Sequence, residues 1–224
     1  MNDSQDDGIG RFGRIKDKLI GRKEEWSRDG RGLTGTTAPH AQRLPPGQHV
    51  VKDWPVLDLG IQPEVPRAAF RLVIDGAVEH PVTLDWDAVM SLPQVSSVSD
   101  MQCVTTGSRF ANHWEGVAVA SIVALVRPRD EATHVLFESH DDYTTNLTRE
   151  QFTGADCHLV HTWEGKPISR QHGGPLRVMV PQYYLWKSAK WVRRISFATA
   201  DHRGFWETRG YNNRADPWLE ERYS

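Results

Sequence analysis

The sequence predicts an α+β domain with a mostly mixed sheet and short helices. Short apolar runs and alternating segments are bounded by Gly, Pro, Asn and Asp, and the helical signals between them are brief and locally capped. The regular strand and helix alternation of a βαβ fold is missing, so a Rossmann or barrel architecture has little support.

Phe70, Leu72 and Ile74 alternate with Arg71, Val73 and Asp75 before Gly76, which predicts a strand running into a turn, with residues 81–84 as its return. Asp85 is placed to cap a helix over 86–92 that Pro93 ends. Residues 98–104 read as a strand carrying Cys103. Residues 116–126 read as a brief strand followed by a helix stopped at Pro128, and 134–139 as a further strand. After the polar stretch 140–146, Thr148 and Gln151 have capping-box spacing. Residues 157–163 and 166–169 flank Glu164-Gly165 as a hairpin, and 176–180 and 191–198 are strands around a Tyr/Trp/Lys-rich connection. No internal repeat is present.

The 224 residues, 38% of them hydrophobic, suffice for one sizeable core. With 27 Lys and Arg against 29 Asp and Glu, the net charge of -2 offers no field for nucleic acid, so any anion site is local. Two cysteines without paired spacing argue against a disulfide framework. No stretch reads as a membrane span or an export signal, so the expected setting is cytoplasmic. Residues 1–48 hold only Phe12 and Trp26 as aromatics, with nine Lys/Arg against seven Asp/Glu, and read as a weakly structured or docked arm. Within it Ile9, Phe12, Ile15 and Leu19 could form one stripe of a short helix. The domain proper is expected over 49–224.

Chemistry concentrates in few places. His172-Gly173-Gly174-Pro175-Leu176-Arg177, followed by Lys187-Ser188-Ala189-Lys190, could hold one phosphate, since Arg offers a planar fork, Lys a point charge and Ser a further donor. The same residues would also suit a solvated basic loop. Cys103, in Met101-Gln102-Cys103-Val104-Thr105-Thr106, could be a buried hydrophobe, a ligand, or a nucleophile with His113 or His140 as base, although no hydrolase signature surrounds it. Cys157 reads as a buried hydrophobe. His158 and His161, three apart in a strand, face opposite ways and make poor joint ligands. Trp54, Trp163, Trp186 and Trp191 are expected in a core or a lining.

Five phrases change this balance: Cys103-Val104-Thr105-Thr106, Tyr143-Thr144-Thr145-Asn146-Leu147, His172-Gly173-Gly174-Pro175, Trp186-Lys187-Ser188-Ala189-Lys190-Trp191 and Gly204-Phe205-Trp206-Glu207. In this order, and over residues 54–223, the chain resembles the short bacterial type of the sulfite oxidase-like molybdopterin-dependent oxidoreductases. The resemblance implies a molybdopterin-binding sulfite-oxidase-like fold in which one pterin dithiolene, of the mononucleotide-free form, and the Cys103 thiolate hold molybdenum. A thiolate is a soft, electron-rich ligand suited to a metal that cycles by two electrons. By position, the resemblance gives Ser139 as a hydroxyl near the metal and His172 as a polar pterin contact. It gives Arg177, Ser188 and Lys190, with Lys187 as a neighbour, as the terminal phosphate pocket. Residues 54–60 match a pterin-covering stretch, with Asp58 as a contact, and Arg109 and Tyr143 would line the substrate side.

The chain departs from true sulfite oxidases. The Asn-Arg-Arg after the cysteine is missing, and Gly107 stands where related short proteins carry an aromatic. The implied activity is therefore oxygen-atom transfer on a small sulfur- or nitrogen-containing substrate, with sulfite oxidation or a non-catalytic molybdopterin carrier as alternatives. A thiol hydrolase using Cys103 would need no metal. Without a haem-attachment motif or an iron–sulfur cysteine set, the expected redox partner is external.

Overall fold

The structure is a computed structural model that describes residues 17–18, 20–21, 24–25, 43–154 and 156–224. The helical stripe expected from Ile9, Phe12, Ile15 and Leu19, and most of the arm 1–48, lie outside the described residues.

The described chain runs β1 (His49–Val50), β2 (Leu72–Gly76), β3 (Val82–Leu84), α1 (Trp86–Ser91), β4 (Gln94–Gln102), β5 (Gly107–Ala118) and α2 (Val119–Val126). It continues with β6 (His134–Ser139), β7 (Thr144–Thr148), α3 (Arg149–Phe152), β8 (His158–Trp163), β9 (Lys166–Pro167), β10 (Arg177–Met179) and β11 (Val192–Ala198). Two mixed sheets result. The first has the order β1-β5-β8-β10, with β4 on β5 and β9 on β8; β1 and β5 are parallel and the other pairs antiparallel. The second is β3-β2-β11-β6-β7, parallel only between β2 and β11. This is the mixed α+β architecture with short helices that the sequence predicts, divided between two sheets.

Local chemistry explains the elements. Asp85 Oδ1 accepts from the Ala88 N–H at 2.8 Å and starts α1. Thr148 and Gln151 form a reciprocal capping box at α3. The apolar α2 ends where Arg127 enters the left-handed region, one residue before Pro128. Leu159 and Val160 face two different clusters across the first sheet. The main core joins Leu72, Ile74, Phe137 and Ile195 to Ile122 and Leu159, while Trp54, Trp114, Val160 and Met179 form a smaller one. Cys157 is buried in the main core, where burial pushes its thiol pKa far up, as a small hydrophobe should behave.

Three expectations are corrected. The strand assigned to 98–104 spans 94–102, so Cys103 sits just beyond β4 in the turn that leads to β5. The brief strand expected near Gly116 is the end of the 12-residue β5. The polar stretch ending at Asn146 holds the first half of β7. Both underestimates have one cause: Ser108 and Asn112 in β5, and Thr145 and Asn146 in β7, are buried polar residues that erase the apolar alternation. Their partners include side chains, as where Ser108 Oγ donates to Gln48 Oε1 at 3.2 Å and Thr145 Oγ1 to Glu207 Oε1 at 2.8 Å, and backbone, as where the Asn112 amide donates to the Ser99 carbonyl at 3.1 Å. Among the described residues no helix is long and apolar enough to cross a membrane.

Candidate functional site

Chain segments between and after the two sheets enclose a cavity of about 920 Å³, part of it open to solvent. Cys103 lies at its wall and is 6% exposed. The turn holding it is rigid: its N–H donates to the Gly107 carbonyl at 2.8 Å, and its carbonyl accepts from the Thr106 N–H at 3.0 Å and the Gln48 amide at 3.1 Å. Thr106 takes φ 73° to close this turn. The Cys103 sulfur lies 3.0 Å from Thr105 Oγ1, and Thr105 also lines the cavity.

Arg177, Ser188 and Lys190 contribute to the same cavity. Arg177 is only 2% exposed. Its guanidinium donates to the backbone carbonyls of His172 at 2.7 Å and Ser188 at 2.9 Å, and lies 5.0 Å from the Trp54 ring. No described carboxylate pairs with it, and burial draws its pKa down to about 9. A buried cation satisfied only by neutral oxygens and a ring is under-compensated, and an anion in the cavity would correct that. Ser188 Oγ accepts from the Val180 N–H at 3.0 Å and donates to Met179 Sδ at 3.8 Å, and Lys190 Nζ donates to the Gln171 carbonyl at 2.7 Å. The His-Gly-Gly-Pro phrase permits this approach: Gly173 has φ 101°, and a Cβ there would meet Lys190 Cβ at 2.8 Å.

Aromatic rings supply the rest of the wall, chiefly Trp54, Trp186, Trp191, Trp206 and Tyr211. Tyr143 is part of it, but its hydroxyl donates to the Trp186 carbonyl, and burial first, then Glu207, hold its pKa well above the usual range. It therefore fixes the wall as a neutral phenol. Asp58 also lines the cavity and accepts from the Gly60 N–H and the Gln62 amide, both at 2.8 Å, which folds the 58–62 turn.

Four residues that the sequence suggested stand elsewhere. Lys187 is fully buried and faces Glu207 Oε1 at 2.7 Å and Asn146, so it joins an internal ion pair and is not among the residues that line the cavity. Burial lowers its pKa and Glu207 opposes that. Arg109 pairs with Glu164 at 3.2 Å and stacks 4.7 Å from the Trp163 ring, away from the cavity wall. Ser139 is fully buried behind the wall, and its N–H donates to the Tyr143 carbonyl at 2.9 Å, closing the turn that brings Asp141 and Tyr143 to the cavity. His172 stacks 4.2 Å from Trp54 and stands behind it. Its Nε2 lies 2.9 Å from the Trp54 carbonyl and its Nδ1 3.0 Å from Ser169 Oγ, which assigns the proton to Nε2 and lets Nδ1 accept from the serine. The sequence reading missed Thr105, Asp141, Trp206 and Tyr211, which only the folded chain brings to the wall.

Burial lowers the pKa of His172 from the usual 6.5, with only partial opposition from the Trp54 carbonyl, and burial also lowers His140 and His161. The folded state keeps these rings neutral while the unfolded chain takes up protons. Their contribution to stability is thus complete above pH ~6.5 and is lost as pH falls below that value towards the folded pKa values. The melting temperature at about pH 5.5 is expected to lie below that at about pH 7.5, and His172→Gln should flatten the difference. Equal melting temperatures at both values would mean that the rings protonate freely in the folded protein.

The family model for the oxidoreductase molybdopterin binding domain matches residues 59–206, from the covering turn through the cysteine to the last tryptophan of the cavity wall. The chain belongs to this family. It is 38% identical over 183 residues to the uncharacterized oxidoreductase YuiH of Bacillus subtilis, a match covering 81% of this chain and 92% of that protein. Against the protein-methionine-sulfoxide reductase catalytic subunit MsrP of Campylobacter jejuni it is 26% identical over 163 residues, covering 62% of this chain and 52% of the relative. The chain thus spans about half of that reductase. The sulfane dehydrogenase SoxCD from Paracoccus pantotrophus has a similar fold, with TM-score 0.57 and 19% identity over 62% of this chain and 40% of that one.

In this family setting the donor set fits a molybdopterin. Among the described residues no group of three or more His, Cys, Asp or Glu side chains could hold a metal ion, and a soft thiolate such as Cys103 is a donor of the kind that would complete a site whose other ligands come from a pterin dithiolene. The under-compensated Arg177 fits a phosphate on the same ligand.

Proposed function

We propose that this chain is an enzyme that binds molybdenum through Cys103 and a mononucleotide-free molybdopterin, and transfers one oxygen atom and two electrons to or from a small sulfur- or nitrogen-containing compound. The observation that carries the reading is that Cys103 shares an aromatic-walled cavity with a buried, carboxylate-free Arg177 and with Lys190. When bound, the cofactor supplies the two-electron couple that such a reaction needs. Cys103 contributes a soft thiolate. Arg177 and Lys190 neutralise the terminal phosphate, and Ser188 lines the same cavity. Trp54, Trp186 and Trp206 exclude bulk water from this space. The sulfoxide named in the MsrP relative supports a sulfur substrate. On this reading electrons are exchanged with an external carrier, in the cytoplasm, since these residues hold no iron–sulfur cysteine set of their own.

Protein purified from a host that makes the cofactor is expected to contain close to one molybdenum and one pterin per chain. Arg177→Ala and Lys190→Ala should each weaken cofactor retention by about 1.5–3 kcal/mol, roughly tenfold or more, while the apoprotein stays folded. Metal analysis and pterin release measure both. Purified, active protein with neither component would reject the proposal.

A further inference from the structure

The turn 103–106 holds a hydrogen bond that the family reading does not require. Both backbone polar groups of Cys103 are engaged, so the sulfur has a fixed place, and 3.0 Å away stands the Thr105 hydroxyl, itself buried. Either atom can donate while the thiol keeps its proton. A sulfur that ligates a metal has none, and then only the Thr105 O–H can donate. We propose that Thr105 is a positioning residue whose hydroxyl donates to the Cys103 sulfur and sets how strongly that sulfur donates to the metal. The inference rests on the proposed function above.

The direction follows from charge. A hydrogen bond to a thiolate stabilises electron density on sulfur and leaves less for the metal, so the metal is more easily reduced; hydrogen bonds to ligating sulfurs are a general means of tuning potentials. Thr105→Val keeps the branched shape and removes the hydroxyl, whereas Thr105→Ser keeps the hydroxyl and removes a methyl group. The valine variant is therefore expected to lower the molybdenum midpoint potential, giving a severalfold higher ratio of oxidised to reduced metal at any poised potential, with serine close to wild type.

The experiment is a redox titration of the loaded wild-type, valine and serine proteins, followed by the molybdenum spin-resonance signal, with metal content measured on each sample. A lower midpoint in valine restored in serine supports the assignment, as does loss of metal in valine alone. Metal content and midpoint unchanged in valine, or equal losses in both variants, would overturn it and make the position a packing requirement. Wild-type protein without molybdenum is a separate result that defeats the proposed function and this inference with it.

Discussion

Replacing Cys103 with serine is expected to lower turnover on the order of 100-fold or more while leaving much of the pterin bound. The two effects separate because the residues that hold the ligand differ from the one that addresses the metal. On the proposed reading Arg177 and Lys190 supply the anion contacts, and each is held by bonds that do not involve Cys103. A serine oxygen is a harder and weaker donor than a thiolate, so the metal's redox levels shift even where the phosphate contacts persist, and supporting changes around metal ligands already cost 10–100-fold. Turnover with an artificial electron donor and a sulfoxide or N-oxide acceptor, together with the molybdenum spin-resonance signal, measures this. An unchanged signal and unchanged turnover would return Cys103 to the role of a small buried hydrophobe.

Lys187→Met is expected to destabilise the protein by about 3–5 kcal/mol, because removing one partner of a buried ion pair strands the other charge. Glu207 is as buried as Lys187, and Asn146 and Thr145 complete the network. For a chain of this size the loss corresponds to a fall in melting temperature of roughly 6–20 °C. Lys187→Met combined with Glu207→Gln should recover much of it, since no charge is then left unpaired. Thermal denaturation of the apoproteins decides the matter. Loss of cofactor from a Lys187→Met protein of unchanged stability would place this lysine back at the phosphate.

The same network shows where the sequence could be read and where it could not. Elements fixed by local chemistry were legible: the Asp85 cap, the Thr148 and Gln151 box, the Glu164-Gly165 hairpin and the apolar alternation of β2. Elements that bury polar side chains against distant partners were not, because Asn146 and Thr145 look like loop residues until Lys187 and Glu207 are placed beside them. At the cavity, the basic phrase and the lone cysteine were visible as residue types. What separated Arg177, Ser188 and Lys190 from Lys187 was the direction of each side chain, which a run of four residues in a short turn does not reveal. Ser139 and His172 were displaced by one layer, each supporting a residue that reaches the cavity.

The parallel pairing of β2 with β11 constrains how the molecule comes into being. Residues 73–76 register with 194–197, and β11 is also the neighbour of β6. During synthesis β2 with β3, and β6 with β7, emerge as separate ribbons that have no shared strand until residues 192–198 follow them. Such long-range closure slows folding and leaves unpaired edges exposed in the meantime. Tyr211 of the cavity wall is made later still. The enclosed space therefore does not exist until the chain has been made through Tyr211, and any large ligand that fills it must enter a protein that has already completed its sheets.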